Sequence, residues 1–248
     1  MATLISSLPY NIIAPGDYEL SQSLTSESGD YGVKVCVPNV NLNLAGFTLA
    51  PKVGITILLE ATDFTLFNGT LIGSSLALVP APHIRPDRCR LTDLNVEGVL
   101  FLGGDELVAE RCKVVGATHG IRAGLRAKIS DCEVSGAILG VEVGAGSTIS
   151  KTKVTQCEEG VYAYGNSREP NHLEDLVIYE CDGLGLRVDG PGLVLNCQVH
   201  NNGRVEPAGG ILAGPASVVR NCEAFGNNGG DILIVEPCEL ENNQTSAS

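Results

Sequence analysis

The sequence predicts an all-β solenoid, in which one domain winds into about ten stacked coils of short parallel strands. Three observations carry this prediction. A phrase of about twenty residues recurs, each copy contains an apolar alternation after a glycine, and a cysteine column follows at a constant distance. Such repeats are typical of solenoids, because one repeat can bury its apolar face only against its neighbours.

The repeat is marked by glycines that open short alternating segments. The segments read GIRA, GVEV, GVYA, GLRV and GILA, and their glycines stand at positions 120, 140, 160, 185 and 210. GVKV at position 32 and GITI at position 54 extend the series towards the N-terminus. A period of two is typical of strands, with the first and third residues after each glycine facing the interior. The outward positions would then be Lys34, Thr56, Arg122, Glu142, Tyr162, Arg187 and Leu212.

A second column follows the glycines by twelve residues and contains Cys132, Thr152, Cys197 and Cys222. We expect the nine cysteines of the chain to be reduced, and those of the column to be buried as small apolar side chains. The sequence has no Cys-x-x-Cys motif, so we expect no zinc site, no other metal and no cofactor.

Charged residues flank this column on both sides. Arg111, Asp131 and Lys151 precede successive positions of the column, and Lys113, Glu133 and Lys153 follow them. In coils stacked about 4.8 Å apart, opposite charges would face each other and stabilise the stack by at most ~1 kcal/mol per pair. We interpret these charges as structural.

The overall charge limits the classes of partner. A formal net charge of −13 disfavours nucleic acid, whose phosphates bind basic surfaces. No stretch approaches the ~20 apolar residues of a membrane-spanning helix, so we expect no membrane contact. The N-terminal residues contain neither the basic region nor the apolar run of a signal peptide. We therefore expect a cytoplasmic protein unless a leader has been removed, and we leave both a monomer and a homo-oligomer open.

Three segments carry a family resemblance. VNLNLAGFTLAP (40–51), GITILLEATDFTLFNGTLIGSS (54–75) and IIAPGDYEL (12–20) resemble the N-terminal coils of right-handed parallel β-helix proteins of the pectate-lyase-like superfamily. The resemblance covers about residues 10–240. It implies a right-handed parallel β-helix, and a superfamily with polysaccharide lyases, hydrolases and epimerases as well as phage tail parts, adhesins and non-catalytic scaffolds. The paired aspartates of polygalacturonase-type hydrolases are absent from the sequence, which argues against that activity.

These observations predict three parts of the chain. Residues 1–30 would form an N-terminal cap, with a short helix around ELSQSL (19–24). Residues 31–241 would form the β-helix, and residues 242–248 a polar tail. A cap would cover the open edge of the first coil, which otherwise promotes aggregation.

Two coils are longer than the others, and their extra residues suggest a site. GNSREPNH (165–172) follows one outward-facing strand, and NNGRVEP (201–207) precedes another, so the two insertions would flank the exposed sheet on opposite sides. The floor between them would carry Arg122, Glu142, Tyr162 and Arg187, with Tyr164 and Asp189 two residues further along their strands.

This floor suggests acid–base chemistry. We expect the arginines to lower the pKa of Tyr162, which would act as acid or base with Glu142 as its partner or alternative. Arg187 and Arg122 would bind a carboxylate or an enolate-like transition state, and His172 would reach over the floor from the inserted loop. The catalytic candidates are Tyr162, Glu142, Arg187 and His172, and the substrate-binding candidates are Arg122, Tyr164, Asp189 and Arg168.

Several functions remain open at this point. The first is a lyase, an isomerase or epimerase, or a cyclase. Its ligand would be a carbohydrate, as the resemblance implies, or a small intracellular biosynthetic intermediate, which the lack of tryptophan and of an export signal favours. The alternatives are a non-catalytic carbohydrate-binding or assembly module and a structural solenoid, because a fold by itself does not fix a function.

Overall fold

A computed structural model describes residues 1–246 apart from 27–29, 53, 82–84, 103, 117 and 167. These described residues form thirty strands and no helix, as expected of an all-β chain. The chain divides into two compact units, Met1–Gly124 and Leu125–Ser248. In both units the strands pair in parallel with strands of the following coil.

The first unit contains the strands β1 to β13. Strand β9 is long and pairs in turn with β6, β7 and β8, so that it continues around one coil. The bounds of these strands are β1 Thr3–Ile5, β2 Tyr10–Ile12, β3 Gly16–Leu20, β4 Leu24–Ser26, β5 Tyr31–Val35, β6 Val40–Asn43, β7 Thr48–Pro51, β8 Ile55–Leu59, β9 Phe64–Pro80, β10 Arg90–Leu102, β11 Val108–Glu110, β12 Lys113–Val115 and β13 His119–Arg122.

The N-terminal residues differ from the expectation of a capping helix. The segment expected to be helical, 19–24, contains the end of β3 and the start of β4 instead. Strand β3 pairs with β1 and with β6, and β4 pairs with β7. Pairing with the next coil therefore overrides any local helical tendency of this polar segment.

The second unit is built from three stacks of strands, here called sheets A, B and C, to which each coil contributes one strand. Sheet A contains β16 Leu139–Val143, β19 Glu159–Tyr164, β22 Leu184–Asp189, β25 Gly209–Ala213 and β28 Ile232–Ile234. Sheet B contains β14 Lys128–Ser130, β17 Thr148–Ser150, β20 Asn171–Glu174, β23 Gly192–Leu195, β26 Val218–Arg220 and β29 Glu239–Glu241. Sheet C contains β15 Glu133–Ser135, β18 Lys153–Thr155, β21 Val177–Tyr179, β24 Gln198–His200, β27 Glu223–Phe225 and β30 Gln244–Thr245.

The pairing register of sheet A confirms the predicted outward column. Glu142 pairs with Tyr162, Tyr162 with Arg187, and Arg187 with Leu212. The residues on either side of these positions are buried, as in Val141 and Val143. The alternation read from the sequence therefore gives the correct inward and outward faces in this unit.

The same alignment is wrong by two residues in the first unit. Lys34 pairs with Leu58, not with Thr56. Thr56 is fully buried, and its hydroxyl donates a hydrogen bond of 3.1 Å to the carbonyl oxygen of Ile72. It occupies the inward position that Gly32 holds in the preceding coil.

The glycine that marks the repeat is required by close approach between coils. A Cβ atom at Gly160 would collide with the carbonyl oxygen of Gly185 and with the side chain of Ile178. A Cβ atom at Gly140 would meet the carbonyl oxygen of Gly160 in the same way. At these two positions the coils can stack so closely only because the side chain is absent.

The second column predicted from the sequence, which contains the cysteines, forms a ladder in the interior of the coils. In the second unit it contains the buried residues Cys132, Thr152, Leu176, Cys197 and Cys222. None of the nine cysteines forms a disulfide, and seven of them are buried. Burial raises the pKa of the Cys89 thiol to about 11, so that this side chain behaves as a small apolar group.

The corner before this column uses a left-handed backbone in every coil of the second unit. Asp131, Lys151, Asp175, Asn196, Asn221 and Asn242 have φ values of 54°, 47°, 56°, 53°, 54° and 54°. Each of these residues turns the chain sharply from sheet B into sheet C. Asparagine and aspartate adopt this conformation more readily than lysine does.

The charges beside the column are paired at the surface. Lys153 Nζ lies 3.7 Å from Glu133 Oε1, which agrees with the predicted ladder. Arg111 makes a bidentate pair with Asp93, with bonds of 2.6 and 2.9 Å. Arg88 pairs in the same manner with Asp63, at 2.7 and 2.9 Å.

Candidate functional site

The outward residues of sheet A form the candidate site, which we call the Tyr162 face. It is defined by Glu142 on β16, Tyr162 and Tyr164 on β19, and Arg187 and Asp189 on β22. The period of two in each strand directs all five side chains away from the interior. The parallel register then places those of neighbouring coils beside one another.

Three of these side chains form one hydrogen-bonded network. The Tyr162 hydroxyl donates to Asp189 Oδ2 at 2.7 Å. Arg187 donates to the same carboxylate through Nε, to Oδ1 at 2.9 Å, and through Nη2, to Oδ2 at 2.9 Å. Both oxygens of Asp189 are therefore held by charge-assisted bonds, which are among the stronger hydrogen bonds in proteins.

Aromatic contacts reinforce the network. The guanidinium carbon of Arg187 lies 4.8 Å from the centroid of the Tyr162 ring, a cation–π arrangement. The rings of Tyr162 and Tyr164 lie 5.9 Å apart at a tilt of 53°. Tyr164 is 37% exposed, so that the face presents an aromatic surface next to fixed polar groups.

The ionisation of Tyr162 differs from the sequence-based prediction. The hydrogen bond to Asp189, followed by burial and the charge of that carboxylate, raises the pKa of Tyr162 to about 12. The positive charge of Arg187 acts in the opposite direction but is outweighed. The prediction of a lowered pKa was wrong, because the hydrogen bond to Asp189 outweighs the effect of the arginine charge. Tyr162 is therefore a neutral proton donor at ordinary pH.

Asp189 is ionised within the network. Burial alone would raise its pKa, but the hydrogen bonds from Arg187 and Tyr162 together lower it. The lowered pKa of Asp189 and the raised pKa of Tyr162 are two consequences of the same bond, in which a carboxylate accepts from a neutral hydroxyl. The network is thus a closed arrangement of one cation, one anion and one neutral donor.

Glu142 supplies a second carboxylate. It is in register with Tyr162 one coil away, and only 8% of its surface is exposed. Arg122, which we predicted to be part of this group, is half-buried on β13 of the first unit.

His172 does not occupy the position that the sequence suggested. It lies within β20 of sheet B, in register with Thr148 and Leu193, rather than in a loop over the Tyr162 face. Its Nε2 atom lies 3.6 Å from Glu174 Oε2. The inserted segment ends earlier than predicted because Asn171 already enters the ladder of sheet B.

The inserted segment itself is anchored at both ends. The amide N–H of Gly165 donates to the Asp189 carbonyl at 2.7 Å, and that of Gly146 donates to the Glu169 carbonyl at 3.0 Å. Arg168 is exposed, and its amide N–H donates to Asn166 Oδ1 at 2.9 Å within the segment. These bonds place the segment directly after Tyr164, as the coil lengths predicted.

The second insertion borders a cavity that the sequence did not predict. A pocket of about 310 Å³ lies before strands β19, β22 and β25. It is lined by Glu158, Glu159, Asp182, Gly183, Val205, Glu206 and Pro207. Acidic residues shortly before Gly160, Gly185 and Gly210 were the available sequence signal, but each one alone is typical of an ordinary polar turn. Among the described residues, no group of three or more histidine, cysteine or acidic side chains is arranged to hold a metal ion.

Comparison with known proteins establishes the family. A family model described as "Right handed beta helix region" matches residues 97–246, more than half of the chain. The chain belongs to the right-handed β-helix family. This agrees with the resemblance noted in the sequence and with the parallel pairing of successive coils. No curated protein matches the chain, and no helix in the described parts of the chain is long and apolar enough to cross a membrane.

Two solved structures are similar in fold. The Dettilon tailspike protein (gp208) matches with a TM-score of 0.59 and 11% identity over 92% of this chain, which spans 54% of that protein. The A-module of the Azotobacter vinelandii mannuronan C-5 epimerase AlgE4 matches with a TM-score of 0.51 and 10% identity, over 98% of this chain and 87% of that module. The β-helix fold is thus shared with a carbohydrate-active enzyme and with a tailspike, and at these identities the likeness concerns the fold alone.

Proposed function

We propose that this protein binds a carbohydrate on the Tyr162 face. The observation that carries the proposal is the Tyr162–Asp189–Arg187 network, which fixes polar groups beside the exposed ring of Tyr164. Sugars offer both apolar C–H surface and hydroxyl groups, so they match a surface that combines aromatic rings with oriented donors and acceptors. Such a surface needs little reorganisation to bind, because its side chains already hold one another in place.

The comparison with known structures supports this ligand class. The epimerase that shares the fold is named for its action on mannuronan, a polysaccharide. The position of the face agrees as well, since the inserted segment anchored at Gly165 directly follows its strand β19. Loops carried on a rigid scaffold are frequent places for recognition.

A second candidate function is acid–base catalysis at the same face, by a lyase, an isomerase or epimerase, or a cyclase. The pairing of a neutral hydroxyl on Tyr162 with the carboxylate of Glu142 in the adjacent coil favours it. Tyr162 would act as general acid and Glu142 as general base towards a substrate lying across both coils. The substrate would be the bound carbohydrate or a small intracellular biosynthetic intermediate.

Binding is tested with an oligosaccharide array followed by calorimetric titration of each hit. We expect Tyr162→Phe to weaken binding about tenfold or more, since it removes one hydroxyl and releases Asp189. The matched control is Tyr179→Phe on sheet C, where a half-buried tyrosine is changed in the same way on another face. Equal affinity in both variants would place the binding elsewhere, and a lack of any binding by the wild-type protein would overturn the proposal.

Catalysis is tested separately on each ligand that binds. Product formation is followed by chromatography and mass spectrometry for the wild-type protein and for Glu142→Gln and Tyr162→Phe. If the second candidate holds, Glu142→Gln abolishes turnover while binding and the melting temperature change little. Binding without turnover in the wild-type protein would leave carbohydrate binding as the function.

A further inference from the structure

The positive charge of Arg187 is already neutralised within the Tyr162 face. Its Nε and Nη2 atoms both donate to Asp189, at 2.9 Å each. This fork-to-carboxylate geometry is the one that arginine would otherwise use to bind a carboxylate ligand. An incoming carboxylate would have to displace Asp189 or share the remaining Nη1 atom.

The arginine is also held in place by Tyr162. The ring of Tyr162 lies against the guanidinium group, and its hydroxyl donates to Asp189 Oδ2. Moving Arg187 towards a ligand would therefore break the ring contact as well as the ion pair. Interactions that share partners in this way are lost together rather than one at a time.

Two further acidic residues lie near this network. Glu142 lies one coil from Tyr162. The hydrogen bond to Asp189 and the charge of that carboxylate raise the pKa of Arg187, and the negative charge of Glu159, at the start of β19, raises it further. The inserted residues 165–170 contain one arginine and one glutamate, so they add no net charge, and the whole chain carries −13. A field of this sign disfavours the approach of an anion.

We infer that the Tyr162 face selects neutral sugars over carboxylated ones, and that Asp189 is the residue that sets this selectivity. The inference rests on the carbohydrate-binding function proposed above. A neutral sugar hydroxyl can accept a hydrogen bond from Arg187 Nη1 or donate one to the tyrosine oxygen without disturbing the ion pair. Within the network of Tyr162, Asp189 and Arg187, the one cation is already paired, so a uronate bound there would keep its charge unpaired, which is unfavourable.

The experiment uses matched pairs of ligands. Oligosaccharides that contain uronic acids are compared with their carboxyl-reduced counterparts, which have the same backbone and no charge. Affinities are measured by calorimetry for the full-length wild-type protein, for Asp189→Asn and for Arg187→Gln, with the melting temperature of each variant recorded. The wild-type comparison decides the selectivity without any variant, so a failure of one variant to fold does not remove the test.

We expect the wild-type protein to bind the neutral member of a pair about tenfold more tightly. In Asp189→Asn the charge of Arg187 is released, and the preference should reverse towards the uronate. In Arg187→Gln the preference for the neutral member should persist. If the wild-type protein prefers uronates and loses that binding in Tyr162→Phe, the inference is overturned while carbohydrate binding stands. If no member of any pair binds, both the inference and the proposed function are overturned.

Discussion

Tyr162 and Asp189 join two coils of the second unit diagonally through a hydrogen bond of 2.7 Å. Tyr162 is in register with Arg187, and Asp189 lies two residues further along the same strand. The bond therefore crosses from one coil to the next while the ion pair with Arg187 runs along the strand. Because the two residues share this bond, the pKa of Tyr162 is raised and the pKa of Asp189 is lowered.

The first prediction concerns the ionisation of Tyr162. Its pKa is raised to about 12, above the ordinary value of about 10, so the bond to Asp189 stabilises the fold below pH ~10. That contribution is lost as the pH rises through about 12. We expect NMR of ring-labelled tyrosine to show Tyr162 still protonated at pH ~11 in the wild-type protein and largely ionised there in Asp189→Asn. Identical titration in the two proteins would show that Asp189 is not the cause.

The second prediction concerns stability in acid. Hydrogen bonds from Arg88 and then Thr62 lower the pKa of Asp63 to about 2. A carboxyl group with a lowered pKa stabilises the fold above its ordinary pKa of about 4, and this contribution disappears as the pH falls through about 2. We expect the melting temperature of Asp63→Asn to fall less than that of the wild-type protein between pH ~5 and ~2.

The acid prediction has an internal control. Arg88→Gln removes the partner of Asp63, so it should flatten the same part of the pH curve. The double variant should behave like Asp63→Asn, because that single variant already lacks the ion pair with Arg88. Additive effects of the two changes would contradict the assignment to this ion pair.

The third prediction concerns the corner between sheets B and C. Lys151 has a φ of 47°, a left-handed conformation that lysine adopts at a disadvantage, whereas Asn196 holds the same position with a φ of 53°. We expect Lys151→Asn to raise the free energy of unfolding by about 0.5 to 1 kcal/mol. The reverse change, Asn196→Lys, should lower it by a similar amount. Urea unfolding measures both, and equal stability of all three proteins would contradict the argument from backbone strain.

The fourth prediction compares two buried asparagines. Asn202 Oδ1 accepts from the Cys181 amide at 2.9 Å, and its Nδ2 donates to Asn227 Oδ1 at 3.0 Å. Asn171 Oδ1 accepts from an amide in the same way, but its Nδ2 atom has no partner among the described residues. Both side chains are 1% exposed. Truncating Asn202 therefore removes more hydrogen bonds than truncating Asn171.

We expect Asn202→Ser to lower the free energy of unfolding by about 1 to 3 kcal/mol, and Asn171→Ser by less. The same position as Asn171 is occupied by Ser147 in the preceding coil, so that serine is compatible with the local backbone. Chemical denaturation of the two variants in parallel gives the comparison. A larger loss for Asn171→Ser would show that its Nδ2 atom has a partner, such as an ordered water, that contributes to stability.

The sequence predicted the fold and the register of sheet A because glycine and alternation recur together there. A Cβ atom at Gly140, Gly160 or Gly185 would collide with neighbouring atoms, so these glycines mark equivalent positions reliably. In the first unit Thr56 takes such a position instead. Here a polar residue faces inward and the apolar Leu58 faces outward. This reverses the alternation of apolar inward and polar outward residues from which the strands were aligned.

The candidate site could be predicted only in part. The column that contains Tyr162 and Arg187 followed from the repeat, but the bonds of both residues to Asp189 depend on side-chain geometry along and across the coils. The spacing of Arg187 and Asp189, two residues apart on one strand, is the sequence signal that indicates their pairing. His172 was placed wrongly because the length of an insertion does not reveal where the next strand begins.

The left-handed corners and the close glycine contacts repeat in successive coils, and this bears on where the chain can accept inserted residues. The coil from Gly140 to Gly160 has 20 residues and that from Gly160 to Gly185 has 25, yet both keep the same strand register. Extra residues are absorbed between strands, as at Arg204 to Glu206 between β24 and β25, while those strands keep their register with the preceding coil. We therefore expect foreign peptides inserted at that corner to leave the strand register unchanged. Surface loops of this protein could then be exchanged one at a time.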